Sequence, residues 1–317
     1  MNNPLQAFLD RQGFAVLDGG LATELETRGA DLDHELWSAR LLYEAPEMIE
    51  KIHYDFLRAG ADVIATASYQ ASIEGFERVG HEGQRARDLI RLSVDLALQA
   101  REAFWSDEQQ RSGRLRPLVA ASVGPYGACL ADGSEYHGEY GVGKQELLEF
   151  HHPRMDLLAD SGADLFAFET IPSRLEAEAL LELLAEFPDK WAWLSFSCRD
   201  DRHLSHGEPF AECAALADGS AQLVAVGVNC SAPRHIAGLL ESAAGVRTPL
   251  LAYPNSGEEY HAEGNFWSGE ACTGFEVADW FARGARLLGG CCRTSLDDIV
   301  RIRERLFAAT ATPQTNP

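Results

Sequence analysis

Positive charge is scarce in this chain: 27 Lys and Arg stand against 49 Asp and Glu in 317 residues, a net charge of -22. A phosphate backbone would be repelled, and no basic stripe interleaved with aromatics offsets the deficit, which argues against nucleic acid as a partner. Long apolar runs are missing too. Nothing approaches the roughly 18 residues that span a bilayer, and the opening MNNPLQAFLDRQGF lacks the basic stretch and apolar run of a secretory signal. No membrane partner is expected. Cysteine is limited to seven scattered residues, an odd number, which argues against a disulfide framework and for a reducing, cytoplasmic setting. No Pro/Ser/Gly-rich linker divides the chain. Residues 1–306 therefore read as one domain, and 307–317, closing on ATATPQTNP, as a disordered tail.

Short, β-branched apolar runs are present from end to end. Strands are expected at Ala15–Asp18, Asp62–Ala67, Leu118–Ser122, Asp164–Phe168, Trp191–Ser197, Leu223–Val228, Pro249–Ala252 and Arg286–Leu288. Their apolar character is nearly continuous, as in parallel strands buried on both faces. Helical spacing fills the intervals: Met48, Ile52 and Phe56 share one face of Glu47–Ala59, and similar stripes mark Glu176–Phe187, Phe275–Ala282 and Leu296–Leu306. RAGAD at Arg58, DSGAD at Asp160 and ARGAR at Ala282 each read as a helix ended by a glycine with positive φ, followed by a strand. Eight such units predict an α/β fold, the (β/α)8 TIM barrel; a doubly wound open sheet is the structural alternative.

In such a barrel the chemistry sits at the C-terminal ends of the strands. There the sequence places Asp18-Gly19-Gly20 after strand one, Thr66 and Tyr69 after strand two, and Glu169 after strand four. Asn229-Cys230 follow strand six and Gly289-Gly290-Cys291-Cys292 follow strand eight. Strands six and eight are one strand apart, so their ends stand roughly 10 Å from each other. Thiolates on a tetrahedral zinc at about 2.3 Å lie just under about 4 Å apart. Side chains leaning into the mouth can close that gap, provided the strand has ended and Gly289-Gly290 bend the backbone. An isolated Cys-Cys pair is ordinarily a packing feature; Cys230 on the same rim is what sets this one apart. Cys129, Cys198, Cys213 and Cys272 lack such convergence and read as core or surface thiols. His203 and His206 form an HxxH in a polar loop and read as solvated, and Gly141–Lys144 lacks the spacer and Ser/Thr of a phosphate loop. Asp18 and Glu169 can equally be helix caps.

With those residues in place, the chain resembles the homocysteine S-methyltransferase family from about Val16 to Arg293. The words that carry the likeness are LDGGLATELE at Leu17, IATASYQAS at Ile64, SVGPYGA at Ser122, FET at Phe168, GVNC at Gly227, YPNSGE at Tyr253 and GGCCRT at Gly289. The resemblance implies a barrel in which Cys230, Cys291 and Cys292 hold Zn2+, with Asn229 beside the metal. It implies a homocysteine site built on the Asp18-Gly19-Gly20 corner and Glu169, in which Glu169 meets the ammonium and the glycine N–H groups approach the carboxylate. GPYGACLADGSEYHGEY and YPNSGE look most like the branch that takes its methyl group from S-methylmethionine, sometimes S-adenosylmethionine, rather than betaine. Tyr69, Tyr126, Tyr136 and Tyr140 are candidates to receive the sulfonium by cation–π contact, the last three on a long segment, Gly124–Gly143, that has the length of a lid. The competing readings are a methyltransferase using betaine or another donor, a zinc hydrolase on the same barrel, and a non-catalytic zinc site with four closed ligands.

Overall fold

The computed structural model describes residues 2–130, 132–261, 266–272 and 274–311. Eight parallel strands form the barrel: β1 (Ala15–Val16), β2 (Val63–Ala65), β3 (Leu118–Val123), β4 (Leu165–Ile171), β5 (Ala192–Phe196), β6 (Leu223–Asn229), β7 (Leu250–Tyr253) and β8 (Ala285–Leu288). Each pairs with the next in sequence from β2 to β8, and β8 pairs back onto β1, with Val16 opposite Leu288. A parallel bridge between Leu17 and Val63 and the Asp62 N–H on the Val16 carbonyl at 2.7 Å join β1 to β2. The sheet thus comes round on itself, and the open-sheet alternative falls.

Alternation along the strands makes two cores. Ala15, Leu17, Val63, Ala120, Leu165, Trp193 and Leu287 turn inward, while Phe14, Val16, Val119 and Ala121 turn outward to meet the helices. A helix that the apolar pattern did not reveal, Gln6–Gln12, closes the floor. Its Phe8, with Leu5 just before it, is buried in the inner cluster, and burying a side chain of that size stabilises the fold by about 2 kcal/mol.

The glycine stops are of two kinds. Gly60 at φ 121° and Gly284 at φ 103° end their helices in the left-handed region as expected. Gly162 does not: its helix ends at Ala159 on an αR residue, Asp160. A Cβ at Gly162 would stand 2.8 Å from Leu98 Cδ1, so the glycine there relieves close packing against the helix Gln84–Ser106 rather than supplying positive φ. The last helix, Leu296–Ala311, continues past Leu306 into what the composition marked as tail; residues 312–317 lie outside the described residues. Among the described residues, no helix is long and apolar enough to cross a membrane.

Candidate metal centre and substrate cavity

Cys230 follows the last residue of β6, and its φ of 46° turns the chain sharply at the strand end. Backbone contacts hold that turn: the Cys230 N–H donates to the Tyr253 carbonyl at 3.2 Å and Asn255 Nδ2 to the Cys230 carbonyl at 3.4 Å. The Cys291-Cys292 turn is clasped by the same segment, YPNSGE, through Cys291 N–H to Pro254 O at 2.8 Å and Ser256 N–H to Cys292 O at 3.1 Å. Gly289 and Gly290 serve by leaving space rather than by positive φ. A Cβ on the first would lie 2.6 Å from Leu17 Cβ, and one on the second 2.3 Å from Thr294 Oγ1.

This scaffold brings the three sulfurs within 4.8 Å of one another, with Cys230 and Cys292 at 3.5 Å. That is the spacing of thiolates on a soft tetrahedral ion, and no fourth His, Cys or carboxylate ligand joins them among the described residues. The donor set therefore fits an open site and not a closed structural one. Asn229 stands behind it, fully buried. Its Oδ1 accepts the Thr170 N–H at 2.7 Å, and its Nδ2 donates to Thr170 Oγ1 at 2.8 Å and reaches Cys291 Sγ at 3.9 Å. The remaining cysteines stand apart from this group. His203 and His206 pair instead with Asp200 and Glu208, each at 3.0 Å.

The sulfurs border a cavity of about 700 Å³ that is also lined by Asp18, Gly19, Gly20, Thr66, Tyr69 and Glu169. Of the residues expected to hold the metal or homocysteine, Asn229 is not on its wall. Neither carboxylate caps a helix. Asp18 Oδ2 accepts the Ala65 N–H at 2.8 Å, and Glu169 accepts from the Ser122 hydroxyl and from Tyr253 OH at 3.1 Å. Burial pushes the Asp18 carboxyl well above the usual range against the Ala65 hydrogen bond, with Glu169 adding to the rise. Burial likewise raises Glu169, against its bonds from Ser122 and Tyr253. Among the described residues no cationic side chain pairs with either, and two buried carboxylates so placed make a receptor for a cation. Gly20 shapes this corner rather than donating freely: its N–H is already held by Thr294, at 3.1 Å to the carbonyl and 3.2 Å to the hydroxyl. A Cβ there would meet Thr23 Oγ1 at 2.6 Å and Cys291 O at 2.8 Å. Thr66 is committed to joining β2 to β3, accepting the Ser122 N–H at 3.0 Å.

Several lining residues escaped the sequence reading. Tyr253 ends β7 and bridges Trp193 Nε1, Ser195 and Glu169; its position at a strand end, in a word already noted, was the available signal. Asp31–Glu35 come from a loop, Trp37 from the 3-10 turn Trp37–Arg40 and Trp267 from the short strand Phe266–Ser268, and no local pattern betrays their packing on the cavity. The segment after β3 splits its tyrosines. Tyr136 borders the cavity, whereas Tyr126 packs on Tyr140 at 5.4 Å and on Phe150 at 5.0 Å.

The family model for homocysteine S-methyltransferase matches residues 15–306. The homocysteine S-methyltransferase YbgG of Bacillus subtilis (strain 168) is 49% identical, covering 95% of this chain and 96% of its own. The homocysteine S-methyltransferase of Escherichia coli (strain K12) is also 49% identical, over 96% of this chain and 99% of its own. The crystal structure of the metallated form of the homocysteine methyltransferase MmuM from Escherichia coli superposes with a TM-score of 0.85 at 46% identity, covering 96% of this chain and all of that one. With full-length likeness of sequence and of fold, and the family's GVNC and GGCC words meeting at one cavity, the chain belongs to the homocysteine S-methyltransferase family.

Proposed function

We propose that the protein is a zinc enzyme that transfers a methyl group from S-methylmethionine, or from S-adenosylmethionine, to homocysteine. The observation that carries this reading is three clustered sulfurs in a cavity that also holds two buried carboxylates with no counter-ion among the described residues. Cys230, Cys291 and Cys292 would hold the ion. Bound Zn2+ supplies Lewis acidity that keeps a substrate thiol deprotonated at neutral pH, where a free thiol of pKa about 8.5 is mostly protonated. Asn229 steadies the cysteine turns. Glu169, aimed by Ser122 and Tyr253, receives the homocysteine ammonium together with Asp18. Gly19 and Gly20 leave room for the amino-acid end at that corner.

The homocysteine sulfur attacks the methyl carbon of the sulfonium in line. A new S–C bond forms, the old C–S bond breaks, and the electron pair stays on the departing sulfur. The leaving thioether is neutral and needs no general acid, so the chain's contribution is orientation and exclusion of water. With S-methylmethionine, acceptor and donor both become methionine. Purified, reduced protein should carry about one zinc per chain, lost with its activity in Cys292→Ser. Activity should be highest with a sulfonium in a panel of S-methylmethionine, S-adenosylmethionine and betaine. A metal-free preparation with full activity ends the zinc assignment, and a preference for betaine ends the donor assignment.

A further inference from the structure

Glu135 lies in the short turn Ser134–Tyr136 of the segment after β3 and borders the same cavity as the sulfurs. Its Oε2 is buried and has no hydrogen-bond partner among the described residues. Burial lifts its carboxyl to about 7, with Asp132 adding to the rise and its own backbone N–H opposing it. Tyr69 and Tyr136, both on the cavity wall, lie within electrostatic reach of both Glu135 and Cys230. Two aromatic rings thus share the cavity wall with this carboxylate and the sulfurs. The other acidic residues of the outer cavity, Glu26, Asp31, Asp33 and Glu35, are exposed and screened by solvent. The arginine on the wall, Arg293, is already paired with Glu258 at 3.1 Å.

We infer that Glu135 is a donor-specificity residue: its carboxylate receives the positive charge of the onium methyl donor in the cavity it shares with the rings of Tyr69 and Tyr136 and the three sulfurs. This rests on the reading of the donor as an onium compound and adds the group that selects it. The role has a particular kinetic sign. Before transfer the acceptor sulfur is negative and the donor sulfur positive; afterwards both are neutral. The onium charge is already fading in the transition state, so a carboxylate beside it binds the ground state more tightly than the transition state. Glu135 lowers the donor KM and does not raise kcat.

In zinc-loaded enzyme, Glu135→Gln should raise the donor KM on the order of tenfold or more, with kcat at or above that of the parent. Homocysteine KM and metal content should hold, and Glu135→Asp should recover part of the loss. Inhibition by methionine, which has the same amino-acid end and a neutral sulfur, should be unaffected. A donor KM equal to the parent's in Glu135→Gln overturns the assignment. So does an equal weakening of methionine, which would move the contact to the amino-acid end, or a loss residing in kcat that Glu135→Asp does not recover. The parent's own donor panel separates the two readings. If it uses betaine alone, the sulfonium reading fails while the quaternary ammonium still tests Glu135; if it uses none of the three, both fail.

Discussion

Asn229 is the side chain through which two strand ends and one cysteine turn are kept in register. Its amide satisfies the Thr170 N–H and hydroxyl and reaches Cys291 Sγ. Thr170 itself sits at φ 61°, and a break in the β4–β5 register lies between Phe168 and Ile171. A bulge beside a site re-aims a side chain at a cost in strain, and here it frees Glu169 to face the cavity. Asn229→Ala should leave the buried Thr170 N–H unpaired, costing about 2 kcal/mol in urea unfolding. It should also weaken metal retention on the order of tenfold or more against a competing chelator, as losses behind metal ligands do. Unchanged metal affinity would show that Asn229 serves β4 alone. The three cysteines were legible from the sequence because Cys230 directly follows one apolar strand and Cys291-Cys292 come two glycines after another, so topology places them on one rim. Tyr253, Glu135 and the Thr294 hold on Gly20 were not, because each depends on chain segments far apart in sequence.

At the scale of elements, the eight strands could be read from unbroken apolar runs, since burial on both faces leaves no polar alternation to confuse. The floor helix was hidden because its seven residues bury only Phe8, too little for a stripe to repeat. The segment after β3 was legible as long but not as anchored. Glu176 Oε1, on the helix Arg174–Leu184, accepts the Tyr126 N–H at 2.5 Å and meets His151 Nε2 at 2.9 Å. Arg154 reaches the Gly124 carbonyl and His151 Nδ1. With Nε2 donating to Glu176 and Nδ1 accepting from Arg154, the ring must be neutral. Burial first and Arg154 second pull its pKa down from 6.5 to about 4, against Glu176. The unfolded chain therefore takes the proton more readily: the stabilisation is complete above pH 6.5 and is lost as pH falls toward 4, at most about 3 kcal/mol. His53, lowered to about 4 by burial alone, adds a slope of the same sign. His151→Gln should be less stable at pH 7.5 yet lose less between pH 7.5 and 5 than the parent, with the His53 share remaining. Parallel urea titrations at the two pH values check this, and equal slopes would refute the neutral clamp.

Across the whole molecule, the barrel divides labour between its ends. The C-terminal rim carries the sulfurs and the strained residues Thr170, Cys230 and Arg293, all at positive φ. The N-terminal rim is tied together by Asp62, 1% exposed at the entrance to β2. Its Oδ2 accepts the Val16 N–H at 3.0 Å and Gln12 Nε2 at 2.7 Å, and its Oδ1 meets Arg114 at 3.2 Å and Arg303 at 3.0 Å. One carboxylate therefore gathers the floor helix, the first strand, the lead into β3 and the last helix, closing chain beginning to chain end. A barrel without a sheet edge needs such a tie where its shortest strand, β1, meets β2 through a bridge at Leu17 rather than a full ladder. Asp62→Asn keeps the shape and leaves two mostly buried guanidinium groups without their counter-charge. The expected loss is about 3 kcal/mol in urea unfolding. Because the site lies at the opposite end of the strands, the metal content and donor KM of the folded variant should match the parent's. A variant of full stability, or one that folds but sheds its metal, would show that the two ends of the barrel are not independent.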